Sequence, residues 1–433
     1  MLESVSENLR AFGLPLAKRA AGLVTRAIPI PRPTLLVGPD SALRMVESVA
    51  DFGHRRVLLV TDAAVAKLAP VERLIDALAQ KLHLQVYAGV TPDAPLPVIE
   101  QGIDVYNTMA ADAIVAIGGG SVLDAAKVIG LAAVNQRDPR SLAGYFRAFS
   151  GPPPLYVAPT TAGTGSEVTV AAVISDPEAG AKLIVADTRL VPRIAALDPL
   201  LTQGLPPAIT AATGLDALTH AVEAWLSGWR TAESDQLARV AARLILRFLP
   251  RAWADGDDLI AREQMALAAT WAGMAFTRAN VGNVHAIAHQ LGARYHVPHG
   301  LANAIMLPHV LRFSQAKAQG RMAELALALE LGKPRDGDRL LARRLIETIE
   351  ALKHTLDMPA QVAALQVQDI PALAAAACWE ADTNYPVPRR MSEADCAALL
   401  RAVLPTASAR TKGTARGAAA RQAKKPKVRP ESR

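Results

Sequence analysis

The first half of the chain alternates short apolar runs, rich in β-branched residues, with stretches of helical periodicity. The runs RRVLLVTD (55–62), LHLQVYAGV (82–90) and ADAIVAIGGGS (111–121) are each followed by a segment whose apolar residues have helical spacing. Strands that alternate with crossover helices are typical of a parallel sheet. Three further short apolar runs continue the pattern, at 154–161, 182–187 and 193–198. The pattern predicts an α/β domain of the Rossmann-like type.

The second half of the chain has a different pattern. After Pro206 and Pro207, long Ala-, Leu-, Arg- and Glu-rich stretches such as 207–228 and 261–277 show helical spacing and few β-branched runs. We therefore predict an all-helical domain and place the boundary near 199–205. The predicted organisation is an N-terminal extension (1–32), an α/β nucleotide-binding domain (33–200), an all-helical domain (201–404) and a disordered basic tail (405–433).

Charge is concentrated at the C-terminal end. The chain has a formal net charge of +7, but residues 405–433 hold nine basic residues against one acidic residue, which leaves the remainder at −1. The tail is rich in Ala, Arg, Lys and Pro and lacks the apolar content to fold. A solvated extension explains it as well as contact with polyanions does, so we expect no specific nucleic-acid partner.

Composition also excludes several classes of protein. Half of the residues are apolar, yet no apolar run approaches the roughly 18 residues of a membrane span. Basic residues near the N-terminus are not followed by the apolar region and cleavage site of a signal peptide. The only cysteines, Cys378 and Cys396, form neither a disulfide framework nor a CxxC pair. We expect a soluble cytoplasmic protein, in which any metal is held by nitrogen and oxygen ligands.

Two polar, glycine-rich segments follow predicted strands. GGGSVLDAAK (118–127) opens a helix, where free backbone N–H groups and the helix dipole favour a bound pyrophosphate. APTTAGTGSEVT (158–169) places several hydroxyl side chains and two glycines after the next strand. Either segment alone is also compatible with an ordinary turn, and the first is neither a P-loop nor a GxGxxG fingerprint. Together they favour a shared ligand site.

Acidic and histidine side chains recur at helical spacing in the second half. Asp216 and His220 lie at positions i and i+4, and so do His285 and His289. This spacing places both side chains of a pair on one helix face, where they either share a divalent cation or form a surface hydrogen bond. His299 follows in a Pro-His-Gly turn. The residue after His285 is alanine, so the segment is not a zinc-protease helix.

These segments together resemble one known family. GGGSVLDAAK, PTTAGTGSEVT, GLDALTHAVEAW and NVHAIAHQLGARYHVPHGLANAIMLPHV have the order and spacing seen in the iron-containing (group III) alcohol dehydrogenases. The resemblance spans residues 33–404 and includes neither the N-terminal thirty residues nor the basic tail. It implies a Rossmann-like α/β domain followed by an all-α metal-binding domain, an architecture shared with dehydroquinate synthase.

The resemblance also implies an activity and its cofactors. We expect NAD(H)-linked hydride transfer involving a small primary alcohol or diol, or the corresponding aldehyde, whose alkoxide is held by Fe²⁺ or alternatively Zn²⁺. Homo-oligomers, dimers or larger, are common in the family. The implied metal ligands are Asp216, His220, His285 and His299, and the implied histidine near the nicotinamide is His289. The predicted dinucleotide contacts are Asp62, Gly118, Gly119, Gly120, Ser121, Asp124, Thr160, Thr161, Thr164, Ser166 and Lys182.

Cofactor and substrate preferences depend on a few positions. Asp62 matches the residue that faces the adenosine ribose, and a carboxylate about 4 Å from a 2′-phosphate repels it by several kcal/mol, so we expect NAD rather than NADP. Asp93 stands where some members have Asn. Ala171 and Phe276 match pocket positions, and the small side chain of Ala171 is expected to widen the pocket. His296 and His309 match no ligand position.

Three alternatives share some of these features. Dehydroquinate-synthase-like lyases use a glutamate in place of Asp216. Maleylacetate reductases lack a complete metal-ligand set, and hydroxyacid-oxoacid transhydrogenases are oxidoreductases of the same fold. In a different class, a polyanion-binding protein would act through residues 405–433. The complete set of four ligands favours the metal-dependent dehydrogenase.

Overall fold

A computed structural model describes residue 22 and residues 27–405. The predicted basic tail and most of the N-terminal extension lie outside this part of the chain. The strands are β1 (Thr34–Val37), β2 (Arg56–Val60), β3 (His83–Tyr87), β4 (Ala113–Gly118), β5 (Gly144–Tyr145), β6 (Leu155–Pro159), β7 (Ala171–Asp176), β8 (Ala181–Ala186) and β9 (Ile194–Leu197).

The main sheet has six strands in the order β1-β9-β6-β4-β2-β3, and every neighbouring pair is parallel. From β2 the chain passes to β3 on one side, and from β4 it passes to β6 on the other. A crevice therefore opens between the carboxyl ends of β2 and β4, where ligands bind in open α/β sheets. The hydroxyl of Thr61 joins the two ends by donating to the carbonyl of Ile117 at 2.7 Å.

A second, three-stranded sheet departs from the predicted pattern. The apolar run at 182–187 does not join the parallel sheet, because β8 pairs antiparallel with β7 and β5 pairs with its other edge. Only four residues, 177–180, separate β7 from β8, and Gly180 has φ +60°. A link of this length makes a hairpin, whereas a parallel crossover needs about a dozen residues or more.

The helices of the sheet domain are α1 (Ser41–Asp51), α2 (Ala69–Ala79), α3 (Leu96–Met109) and α4 (Gly120–Asn135). Those of the second half are α5 (Pro207–Leu226), α6 (Ala232–Ala254), α7 (Leu259–Ala279), α8 (Asn283–Tyr295), α9 (His299–Ala328), α10 (Asp338–Thr355), α11 (Ile370–Asn384) and α12 (Glu393–Ala402). Among the described residues, no helix combines the length and the apolarity that a membrane span requires. The structure confirms the predicted fold class.

The core has one apolar cluster on each face of the main sheet and a third among the helices of the second half. Alternate residues of β4 divide between the two faces: Ile114 and Ala116 pack on one, and Val115 and Ile117 on the other. A strand buried on both faces reads as a continuous apolar run, which is why β4 is so clear in the sequence.

The sheet domain meets the helical half through a contact between two glycines. Gly165 lies in the hydroxyl-rich loop after β6 with φ +65°, and a Cβ placed on it would lie 2.6 Å from the Cα of Gly273 on α7. A Cβ on Gly273 would lie 2.9 Å from the Cα of Gly165. The loop and α7 are therefore in direct backbone contact, which fixes the loop against the helical half.

Candidate active site

The four predicted metal ligands come together in the helical half. Asp216 and His220 lie one turn apart on α5, His285 lies on α8, and His299 is the first residue of α9. Each offers one ligand atom, and these atoms all lie within 4.8 Å of one another. Asp216 Oδ1 is 3.9 Å from Nε2 of His285 and 3.6 Å from Nε2 of His299.

The turn between α8 and α9 brings His299 back to the cluster. His296 ends α8 in the left-handed conformation with φ 54°, and Pro298 precedes the first residue of α9. Proline disfavours a helical conformation in the residue before it and is compatible with the start of a helix. His296 is exposed, and its position in the turn accounts for a histidine that does not join the cluster.

Burial keeps the three clustered histidines neutral. It lowers the pKa of His220, lowers that of His285 well below its usual range, and lowers that of His299 to about 4. Neutral imidazoles offer lone pairs, which is the state that coordinates a cation. One carboxylate and three such imidazoles suit Fe²⁺ or Zn²⁺ and leave a position for a substrate oxygen.

The amide of Asn303 shows that three of these atoms point to one place. Its Nδ2 lies 2.6 Å from Asp216 Oδ1, 3.1 Å from Nε2 of His285 and 3.1 Å from Nε2 of His299. Asn303 is fully buried. An amide NH₂ group only donates and has two hydrogens, so the three surrounding atoms share them as acceptors. The residues present therefore fit a cation.

Glu223 orients His285 from the other side of its ring. It lies on α5 two turns after Asp216, and its Oε2 is 2.6 Å from Nδ1 of His285. Its carboxylate also accepts from the backbone N–H groups of Gly282 at 2.9 Å and Val284 at 2.7 Å, which begin α8. Burial raises the pKa of Glu223 to about 7. A proton on Nδ1 of His285 leaves Nε2 free to coordinate, as in carboxylate–histidine–metal triads.

Replacing Glu223 by glutamine is expected to weaken cation binding about 10- to 100-fold, because the amide keeps the size of the side chain but loses the charge that fixes the imidazole. Competition with a chelator measures the dissociation constant. Glu100→Gln is the matched control, since Glu100 belongs to α3 and is exposed. Equal affinities in both variants would remove the orienting role of Glu223.

His289 lies beside the cluster but is joined to a different partner. Its Nδ1 is 2.6 Å from Oε1 of Glu380, and its ring stacks on His299 with centroids 5.3 Å apart. Glu380 also accepts from the hydroxyl of Tyr385 at 2.6 Å and from the amide of Gln290 at 2.7 Å. Burial opposes protonation of His289, but the charge and hydrogen bond of Glu380 outweigh it, so its pKa is raised.

A cavity of about 310 Å³ joins the cluster to the sheet domain. The four clustered residues and His289 line it at the helical side, with the predicted pocket residues Ala171 and Phe276. The predicted dinucleotide contacts that line it are Gly120, Ser121, Asp124, Thr164, Ser166 and Lys182. The remaining predicted contacts, Asp62, Gly118, Gly119, Thr160 and Thr161, lie outside its lining, at and beyond the ends of β2, β4 and β6.

The glycines after β4 allow close approach of the two loops. A Cβ on Gly120 would lie 2.5 Å from Cγ2 of Thr164, and one on Gly118 would lie 2.5 Å from Cγ2 of Val122. Gly119 is the N-cap of α4, and the first backbone N–H groups of a helix have no partner within it. The first turn of α4 and the hydroxyl-rich loop thus form one surface at the sheet edge.

Asp124 and Ser166 bond within the protein. Ser166 Oγ donates to Asp124 Oδ1 at 2.6 Å, and the backbone N–H of Val173 donates to Asp124 Oδ2 at 2.9 Å. The ammonium of Lys127, which is fully buried, lies within 3.1 Å of five oxygens of Ser166, Thr169 and Ala171. Burial lowers the pKa of Lys127 to about 8. This network holds the loop that lines the cavity.

Two other predicted residues have specific partners. Lys182 forms an ion pair with Asp93, the position where some family members have Asn, and Asp93 N–H donates to Ser121 Oγ at 3.1 Å. Asp62 Oδ1 accepts from the backbone N–H groups of Ala64 and Val65, both at 2.9 Å, just after β2. Asp62 therefore stabilises its own turn as well as standing at the crevice.

Sequence reasoning missed several residues of the site. Glu223 follows Asp216 at i+7 on the same helix, and Asn303 follows His299 at i+4, so helical spacing was an available signal for both. Glu380 lies 91 residues from His289 and no local pattern points to it. Lys127 appears in the sequence as the end of the glycine-rich motif, with nothing to indicate its burial.

Comparison with known proteins agrees with this geometry. The 1-propanol dehydrogenase of Citrobacter freundii is 40% identical over 316 residues, which cover 72% of this chain and 82% of that protein. The 1,3-propanediol dehydrogenase of Klebsiella pneumoniae is 37% identical over 371 residues, which cover 84% and 95%. The structure of a sulfoacetaldehyde reductase from Bifidobacterium kashiwanohense, solved with NAD⁺, superposes with a TM-score of 0.78 at 26% identity, covering 87% of this chain and 99% of that one.

Family assignment covers nearly all of the described chain. Residues 32–199 match the iron-containing alcohol dehydrogenase family, and residues 210–404 match the C-terminal part of the Fe-containing alcohol dehydrogenase family. The family uses NAD(H) and Fe²⁺, as the resemblance implied. With its cluster of one aspartate and three histidines beside a glycine-rich sheet edge, the chain belongs to the iron-containing alcohol dehydrogenases and is an NAD-dependent oxidoreductase of alcohols.

Proposed function

We propose that this dehydrogenase acts on a small primary alcohol or diol, and on the corresponding aldehyde in reverse, with NAD in preference to NADP. The observation that carries the proposal is the shared cavity. One surface of it holds the cluster of Asp216, His220, His285 and His299, and the opposite surface holds the first turn of α4. Relatives that act on 1-propanol and 1,3-propanediol support a small substrate.

Different residues of the site are suited to binding the cation, positioning the cofactor and exchanging a proton. The four clustered side chains would hold the cation, which would polarise the substrate oxygen when bound, and the nicotinamide would supply or accept the hydride. His289 faces the same cavity with Nδ1 bonded to Glu380, which leaves its Nε2 to exchange a proton or to position the nicotinamide. Imidazole suits both Fe²⁺ and Zn²⁺, and the family favours Fe²⁺.

The sheet edge provides the dinucleotide site. The N-terminus of α4, with Gly119, Gly120 and Ser121, is suited to the pyrophosphate, since free N–H groups and the helix dipole both favour anions. Thr160, Thr161 and Thr164 add hydroxyl donors from the neighbouring loop. Lys182, paired with Asp93, lines the cavity between this edge and His289. Homo-oligomeric assembly and a cytoplasmic location stay predictions, and light scattering measures the first.

An anaerobic activity screen tests the proposal. Protein loaded with Fe²⁺ or with Zn²⁺ is offered short alcohols, diols and aldehydes with NAD(H) or NADP(H), and the nicotinamide absorbance is followed. We expect turnover of three-carbon alcohols with NAD and with at least one of the two metals. If no combination changes the absorbance, the proposed function is wrong.

The Asp62→Asn variant is expected to raise kcat/KM with NADP at least about tenfold, while kcat/KM with NAD changes little. The amide keeps the oxygen that accepts from Ala64 and Val65 but removes a charge that repels a 2′-phosphate by several kcal/mol at about 4 Å. Initial rates with both cofactors give the ratio. Asp76→Asn, on the exposed surface of α2, is the control. An unchanged ratio would mean that Asp62 does not face the ribose.

A further inference from the structure

A segment before the first strand contributes to the lining of the cavity. Residues 28–33 read Ile-Pro-Ile-Pro-Arg-Pro, so each non-proline residue precedes a proline. Residues before proline are restricted to extended conformations, and proline itself fixes φ. The segment, called the strap below, is therefore stiff and extended, and it loses little conformational entropy when it packs.

The strap presents its isoleucines inward. Ile28 and Ile30 are partly buried and line the cavity, whereas Pro29 and Pro31 are exposed. This alternation is what an extended chain produces when one side faces the protein. The two isoleucines of the strap thus line the cavity, and Pro29 and Pro31 face solvent.

Two contacts hold the strap in place. Nη1 of Arg278, at the end of α7, donates to the backbone carbonyl of Ile28 at 3.0 Å. Arg32 forms an ion pair with Glu233 at the start of α6. Pro33 is buried. Polar groups therefore fix the strap near both ends. The side chains of Ile28 and Ile30 line the cavity, where they are available to contact a ligand.

The strap end of the cavity is connected to the cluster by apolar side chains. Phe276 stacks on the ring of His220 with centroids 4.2 Å apart and an interplanar angle of 25°. Phe276 lies two residues before Arg278, the residue that binds the strap. Trp229 and Val281 line the same cavity. A ligand whose oxygen lies at the cluster therefore extends its carbon chain along an apolar surface toward the strap.

We propose that Ile28 and Ile30 form the distal wall of the substrate pocket and select primary alcohols whose hydrocarbon chain is long enough to contact them. This inference rests on the proposed function. Phe276 stacks on His220, so we expect a three-carbon alcohol held at the cluster to make its apolar contact there. A longer alkyl chain gains apolar contact with both isoleucines, and each added methylene in such a pocket changes kcat/KM by about tenfold or more.

The test compares 1-hexanol with 1-propanol in the metal-loaded full chain with NAD. The wild type is expected to prefer 1-hexanol, and the Ile28→Ala/Ile30→Ala double variant to lose at least about tenfold in the ratio of kcat/KM for 1-hexanol to that for 1-propanol. Ile260→Ala is the matched control, because Ile260 is 66% exposed and lies outside the cavity lining. Thermal unfolding of each variant checks that it is folded.

The inference is supported if the ratio of kcat/KM for 1-hexanol to that for 1-propanol falls in the double variant and not in Ile260→Ala. A wild type that does not prefer 1-hexanol, an equal fall for both alcohols, or the same fall in Ile260→Ala overturns it while the proposed function stands. If the wild type oxidises neither alcohol, the proposed function fails. Calorimetric titration with 1-hexanol then tests the role of the strap independently of activity. Absent binding, or equal binding to wild type and double variant, then overturns the role of the strap.

Discussion

Replacement of His285 by alanine is expected to abolish tight cation binding and to lower alcohol oxidation at least about a thousandfold. The cation contributes several kcal/mol to stabilising negative charge on the substrate oxygen, and each 1.4 kcal/mol or so corresponds to about a factor of ten in rate. The substitution removes one of the four proposed ligands and also leaves buried Glu223 without its imidazole partner. Metal analysis after dialysis and initial rates measure the two effects.

The control for this prediction comes from the same stretch of sequence. His296 ends α8 in the left-handed conformation, which asparagine tolerates, so His296→Asn removes an imidazole without disturbing the turn. It should keep its metal and its rate. Retention of stoichiometric cation by the His285→Ala protein would contradict the assignment of this histidine as a ligand.

The second large effect is expected at Lys127. Lys127→Met keeps the length of the side chain but removes the buried ammonium that lies within 3.1 Å of five oxygens of the loop 166–171. Breaking a buried polar network by removing one partner destabilises a protein by about 3–5 kcal/mol. We therefore expect the free energy of unfolding in denaturant to fall by about that amount.

Lys81→Met provides the comparison for this measurement, because Lys81 is exposed beyond the end of α2. A surface substitution of this kind is expected to change stability by at most about 0.5 kcal/mol. A Lys127→Met protein as stable as Lys81→Met would show that water or a rearranged loop satisfies the five oxygens.

The sequence predicts the features that local pattern controls. Five strands of the main sheet appear as apolar runs, and four of them, β2, β4, β6 and β9, are almost entirely buried. Asp216 with His220 appears through helical spacing. The small sheet was not predicted, because an apolar run does not indicate which strand it pairs with. β8 pairs with β7 through a short hairpin that the run at 182–187 does not reveal.

Features that depend on distant residues stayed hidden. Glu380 reaches His289 only because α11 packs against α8, and no spacing in the sequence encodes that contact. Lys127 reads as an ordinary helical lysine until the loop after β6 folds over it. The isoleucines of the strap belong to a segment that the family resemblance does not include. In each case tertiary packing, and not local preference, assigns the role.

The contact between Gly165 and Gly273 sets the separation of the two halves of the reaction. The loop of Gly165 contains residues of the proposed dinucleotide site, and α7 carries Phe276 against His220 of the proposed metal site. Hydride passes only between carbon atoms brought to within about 3–3.5 Å. We therefore expect the transfer distance to depend on the close backbone contact of two positions that carry no side chain. A methyl group at either glycine would push the loop and α7 apart, and we expect it to misalign the reacting carbons.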